Sequence, residues 1–127
     1  MAIPSILLAD DDPFLHRVLG FKVAQMGWQF LSAHNGAECL RLAATHRPSL
    51  IILDGMMPVM DGFATLRELR RYAETASIPV LMLSARNRET DVVGALDHGA
   101  NDYITKPFSP AELLARVSRL LSGGVAS

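Results

Sequence analysis

The chain has a single cysteine, Cys39, one tryptophan and no long apolar run. A lone thiol forms no internal disulfide and no multi-cysteine metal site, which fits a reducing compartment. The apolar runs stop far short of a membrane span, and Met1 to Pro4 lacks the basic start and apolar core of a signal peptide, so a cytoplasmic location is expected. An excess of either charge is missing too: 12 basic against 13 acidic residues give a formal net charge of -1. Such a balance makes no field that recruits nucleic acid or an anionic membrane, and this domain is expected to touch neither. There is no repeat or low-complexity tract, and no histidine spacing suggests zinc. What remains is 127 residues, 50% of them hydrophobic, which is the size of one domain with a real core.

Four short apolar runs each end in a chemically useful residue. Ser49 to Gly62 is central: Leu50 to Leu53 deliver Asp54 to a loop containing Gly55 and Pro58. Ile6 to Leu8 lead through Ala9 into Asp10, Asp11 and Asp12. Val80 to Leu83 lead into Ser84, and Tyr103 and Ile104 lead through Thr105 into Lys106 and Pro107. Strand and helix patterns alternate between these runs, which predicts an α/β fold with helices on both faces of a parallel sheet.

The first strand spans about Ser5 to Ala9, and Asp12 with Pro13 caps a helix running to about Met26, with Leu15, Val18, Leu19 and Met26 facing the sheet. Gly27 stops it, and Trp28 to Ser32 forms the second strand. Asn35 caps a helix that packs Leu40, Ala43 and Ala44 inward. Asp61 and Gly62 start a third helix, with Phe63, Leu66 and Leu69 on one face. Ile78 to Leu83 is the fourth strand, and Asn87, Glu89 and Asp91 open a fourth helix that Gly94 weakens by about 1 kcal/mol. A short strand from Asp102 to Ile104 precedes a last helix opened by a Ser109, Pro110, Glu112 capping box. Five strands and five helices joined by right-handed crossovers predict a doubly wound sheet of order 2-1-3-4-5, over a domain of residues 1–122 with a flexible tail or linker start at 123–127.

That order sets Asp10, Asp11 and Asp54 together at the switch point. Two carboxylates about 4 Å apart repel by roughly 4 kcal/mol at an effective dielectric near 20, so a cation is expected, and hard oxygen donors suit Mg²⁺ or Mn²⁺. Lys106 can hold a phosphoryl oxygen, Ser84 can donate to one, and Asp54 becomes a carboxylate able to attack phosphorus. Asp12 reads as a cap, Met56, Met57 and Met60 as loop and core filler, and Cys39, Trp28 and the four histidines as structural or surface residues.

The motifs ILLADDD, LIILDGMMPVMDG, VLMLSA and GANDYITKPF, in this order, resemble the receiver domain of bacterial two-component response regulators, from about Ser5 to Leu121. The resemblance implies a flavodoxin- or CheY-like fold in which Asp54 accepts a phosphoryl group from a phosphohistidine of a sensor histidine kinase or phosphotransfer protein. It implies that Asp11 contacts Mg²⁺ directly and Asp10 mostly through water, with the Met56 carbonyl completing the metal set. It further implies that Lys106 pairs with the phosphoryl group, that Ser84 bonds it, that Tyr103 shifts inward as the switch reporter, and that Pro107 is cis. Met56 and Arg86 fall at the positions that tune phosphoryl lifetime in this family. The surface of the fourth helix, last strand and last helix would then regulate a downstream protein or tethered output domain, or support a homodimer. The chain would catalyse only its own phosphorylation and dephosphorylation. The alternative is a phosphatase-type enzyme with a phosphoaspartate intermediate, but that class needs a second acid where Met56 stands and a cap insertion. A flavodoxin-like FMN binder would want hydroxyl- and glycine-rich phosphate loops instead of carboxylates.

Overall fold

The apolar runs become five strands, each flanked by a helix whose buried stripe covers one face of the sheet. A computed structural model describes residues 3–123; of the expected tail, 124–127 lie outside the described residues. The elements are β1 (Ser5–Ala9), α1 (Pro13–Gln25), β2 (Gln29–Ala33), α2 (Gly36–His46), β3 (Leu50–Asp54), α3 (Gly62–Arg71), β4 (Val80–Ser84), α4 (Glu89–Asp97), β5 (Asp102–Thr105) and α5 (Pro110–Leu121). All strand pairs are parallel and the order is β2-β1-β3-β4-β5, as the alternation predicts.

Alternate strand residues point to opposite faces, and the core divides accordingly. Ile6, Leu8, Ile52, Leu81 and Leu83 pack with Leu19 and Val23 of α1 and Leu113 and Val117 of α5. Leu7, Ile51, Leu53 and Met82 pack on the other face with Cys39 and Ala43 of α2, Leu66 and Leu69 of α3 and Ala95 of α4. Strands β3 and β4 are buried along their whole length, which is why they read as unbroken apolar runs. No helix among the described residues is long and apolar enough to cross a membrane. Burial pushes the Cys39 thiol up to about 12, so it serves packing and not thiol chemistry.

Asp12, Asn35, Asp61 and Ser109 cap their helices, accepting from the backbone N–H of Phe14, Glu38, Ala64 and Glu112. The capping box at Ser109 is half made, because the Glu112 carboxylate turns to Arg116 at 3.3 Å. Helix α4 departs from the expected start: its N-cap is Arg88 rather than Asn87, and no side chain caps it. Of its nine residues Ala95 alone is buried, with Val92 packed half-buried beside it, so α4 is the helix least anchored to the sheet. Two expected core residues prove exposed. Met26 lies past the end of α1 at its C-cap, and Ala44 falls off the Cys39–Ala43 stripe; His16 and Val23 take the inward positions on α1. Gly27, with φ +81°, supplies the left-handed turn that ends α1, whereas α2 ends on a left-handed Arg47.

Candidate functional site

Parallel strands put their carboxyl ends on one edge, and β1 lies beside β3 where the helices change faces. There Asp10, Asp11 and Asp54 converge, with one carboxylate oxygen from each within 4.8 Å of the others. Asp10 is fully buried and Asp54 is 2% exposed, while Asp11 faces solvent. Lys106 enters from the end of β5, its Nζ 3.3 Å from Asp54 Oδ1 and 3.6 Å from Asp10 Oδ2. The Lys106–Pro107 peptide is cis, as the resemblance implied. The Lys106 N–H donates to the Ser84 carbonyl at 2.8 Å, tying the tips of β4 and β5 together.

The electrostatics follow from this crowding. Burial raises the Asp54 pKa from its ordinary value, opposed by the Met56 N–H that donates to Oδ1 at 3.2 Å; the charge of Asp10 raises it further and Lys106 lowers it. Burial by itself would lower the Lys106 pKa, but Asp10 and Asp54 together outweigh it and the net shift is upward. Three carboxylates against one ammonium leave two negative charges unmatched. Asp10 Oδ2 is buried and accepts no hydrogen bond. Its one charged neighbour, the Lys106 ammonium at 3.6 Å, is shared with Asp54, so the all-oxygen set keeps an excess of negative charge that fits a hard divalent ion.

Ser84 is fully buried at the tip of β4, and its Oγ accepts the Arg86 N–H at 3.1 Å, which leaves its own proton free to donate. Gly55 makes room beside it: a Cβ there would lie 2.9 Å from Ser84 Oγ and 2.8 Å from the Phe63 ring. Tyr103 already points inward, 8% exposed, with its hydroxyl donating to the Arg86 carbonyl at 2.8 Å. Although β5 is an edge strand, Tyr103 is thus part of the core that Ala95 of α4 covers. Of the three methionines expected to fill space, Met57 does so, but Met56 is 53% exposed and contributes its backbone.

Two features escape a reading of the sequence. Val59 holds φ 72° in the loop after Asp54, unusual for a β-branched residue, and nothing in the pattern MPVMDG signals it. His16 is structural, one of the two readings open to it, but its place beside the site is not legible: its Nε2 meets the Asp10 carbonyl at 2.7 Å. The available signal was a polar residue one turn from Leu19 on the buried stripe of α1.

The glycines at this edge permit a test of how tightly it is built. A Cβ on Gly62 would overlap the Asp54 carbonyl oxygen and come within 2.8 Å of Gly55 Cα, whereas one on Gly94 would meet nothing within 4 Å. Gly62→Ala should therefore destabilise the fold by about 1–3 kcal/mol or more through overpacking. Gly94→Ala should stabilise it by about 1 kcal/mol through helix propensity. Urea denaturation of the two variants measures both, and equal midpoints would refute the contrast.

Comparison with known proteins agrees with this geometry. The family model described as "Response regulator receiver domain" matches residues 6–118. The DNA-binding dual master transcriptional regulator RpaA of Synechocystis sp. is 43% identical over 119 residues, covering 94% of this chain and 49% of that protein. The chain spans about half the length of the curated relatives it matches. Among solved structures, the receiver domain of Francisella response regulator 1452 superposes with a TM-score of 0.88 at 35% identity, covering 96% of this chain and 99% of that one. The receiver domain of the sensor histidine kinase PA1611 of Pseudomonas aeruginosa, which has a magnesium ion coordinated in its active-site cleft, superposes with a TM-score of 0.84 at 30% identity, covering 95% and 99%. An acid-lined switch point, a lysine on a cis peptide and a match over nearly the whole chain lead to one conclusion: this chain belongs to the response regulator receiver domains, the phosphorylation-activated switches of two-component signalling.

Proposed function

We propose that Asp54 is the phosphoacceptor, and that Asp10, Asp11, Asp54 and the Met56 carbonyl hold Mg²⁺, or Mn²⁺ in its place. The observation that carries this reading is the buried Oδ2 of Asp10, which accepts no hydrogen bond and shares its one ammonium neighbour with a nearly buried Asp54. The ion would supply positive charge against the oxygens of the phosphoryl group in transit. The chain's own residues do the rest. Asp54, once ionised, attacks phosphorus while the bond to the donor's leaving group breaks, and Lys106 neutralises an oxygen of the arriving group. Ser84 donates its free proton to another.

The natural donor in this reading is a phosphohistidine on a sensor kinase or phosphotransfer protein. The response is read from the surface of α4, β5 and α5 by a downstream protein or a tethered output domain. On that surface Asp102 of β5 is clamped by Arg116 at 2.9 Å and Arg119 at 3.2 Å, and Val93 and Leu96 of α4 stand exposed, which suits either a partner or a second copy. The phosphatase alternative finds no support: Met56 stands where its second acid is required.

Metal binding is the direct test. Titration with Mg²⁺ should shift the amides of residues 10–12 and 54–57 first, at millimolar concentration or below. Asp11→Asn, which removes the exposed charge of the set without disturbing the core, should weaken binding by about tenfold or more. Undiminished affinity in that variant would show that the assigned ligand set is wrong.

A further inference from the structure

We infer that His16 is a positioning residue for the acid pocket, acting through the backbone carbonyl of Asp10; the inference rests on the metal site proposed above. The side chain is 8% exposed on the first turns of α1. Its Nε2 lies 2.7 Å from the Asp10 carbonyl oxygen, which can only accept, so Nε2 carries the donated proton. Its Nδ1 meets Ser32 Oγ of β2 at 3.0 Å, fixing the ring from the other side. The Phe30 ring meets its edge at 6.3 Å between centroids, and His34 lies across it at 4.7 Å, itself held by Glu38. The imidazole thus has one orientation.

The consequence falls on Asp10. Its N–H donates to the Ala33 carbonyl at 3.1 Å, its Oδ1 accepts the Asp12 N–H at 2.8 Å, and its carbonyl accepts from His16. Every polar group of the residue is committed except Oδ2, the one atom that faces Lys106 without a hydrogen bond. Moreover, the peptide unit whose carbonyl His16 holds is the one joining Asp10 to Asp11. If that carbonyl lost its donor it would be buried and unpaired, and the peptide would rotate to find another. Such a rotation changes ψ of Asp10 and φ of Asp11, and so loosens the backbone from which both carboxylates hang. A side chain that orients metal ligands in this way governs affinity without touching the ion.

The test compares His16→Leu, which keeps bulk and removes the donor, with His16→Gln, whose amide nitrogen can reach the same carbonyl. Leu19→Ala serves as a control that destabilises α1 from its buried face and leaves the Asp10 peptide untouched. Mg²⁺ affinity is measured by calorimetry and by the amide shifts of residues 10–12, with thermal midpoints recorded for all four proteins. His16→Leu should bind Mg²⁺ about tenfold or more weakly. His16→Gln should recover most of that loss, and Leu19→Ala should keep the parent affinity. The positioning role is overturned if His16→Leu binds like the parent, if Gln fails to rescue, or if Leu19→Ala loses as much affinity as His16→Leu. A parent that shows no Mg²⁺ response at all would instead overturn the metal site itself, and this inference with it.

Discussion

Asp54→Ala should take up no phosphoryl group from acetyl phosphate and Mg²⁺, whereas the parent should gain one, labile to hydroxylamine as an acyl phosphate must be. The expectation follows from where the three acids sit. Asp10 is wholly buried with its Oδ1 already accepting from Asp12, and Asp11 faces solvent away from the Lys106 contact. Asp54 lies at the tip of the central strand, keeps a sliver of exposure that Asp10 lacks, and has the shorter contact to Lys106 Nζ, 3.3 Å against 3.6 Å, so that an arriving phosphoryl oxygen meets the ammonium while the carboxylate meets phosphorus. Intact mass of parent and variant decides it, and undiminished labelling of Asp54→Ala would move the acceptor elsewhere and end the mechanism. The pH profile adds a second signature. Because burial raises the Asp54 pKa, the proton competes for the nucleophile at higher pH than it would for an exposed aspartate. The acid limb of labelling should therefore stand high, and raising Mg²⁺ should move it to lower pH, since metal and proton compete for the same oxygens.

How far this site could be read from the sequence depends on the kind of force that places each residue. Asp54, Ser84 and Lys106 are legible because an apolar strand can end at only one point, and a parallel sheet brings such ends to one edge. The caps at Asp12, Asn35, Asp61 and Ser109 are legible because the hydrogen bond they make is local. Asn87 fails for the complementary reason. It offers the right chemistry, but the loop after Ser84 is shaped by distant groups: the Arg86 N–H goes to Ser84 Oγ, the Arg86 carbonyl receives Tyr103, and the helix begins one residue late. Arg70 is equally hidden. Its guanidinium reaches the Gly99 carbonyl at 2.8 Å and Asn101 Oδ1 at 3.2 Å, pinning the turn that follows α4, and nothing local to α3 announces either contact. Contacts of this kind depend on the packing of two elements far apart in the chain, and periodicity carries no record of them.

Ser84→Ala should remain phosphorylated and yet lose most of the response in α4. The wiring is visible around Arg86, whose backbone is held at both ends: its N–H by Ser84 Oγ and its carbonyl by the Tyr103 hydroxyl. A phosphoryl group on Asp54 adds roughly -1.5 to -2 charges and three acceptor oxygens to a site that already carries excess negative charge. The Ser84 hydroxyl should turn toward it, and the Arg86 N–H would then follow or lose its partner. Tyr103, bonded to the other end of the same residue, should be drawn along with the loop. The element that yields is α4, which has no side-chain cap, a single buried residue and an open Gly94. Below it, between α3 and α4, lies a cleft of about 230 Å³ lined by Phe63, Leu66, Arg86 and Ala95, so there is room for the helix to shift. Its far end is pinned by Arg70 at Gly99, which makes that end the pivot. Hydrogen exchange on parent and variant, each with and without beryllofluoride, reads the outcome. The parent should change protection across residues 86–99 and at Tyr103, with a coupling of the usual allosteric size, about 1–3 kcal/mol. In Ser84→Ala the change should shrink to a local effect in the loop after Asp54. An equal response in the two proteins would mean that the signal leaves the phosphorylation site by a route that bypasses Arg86.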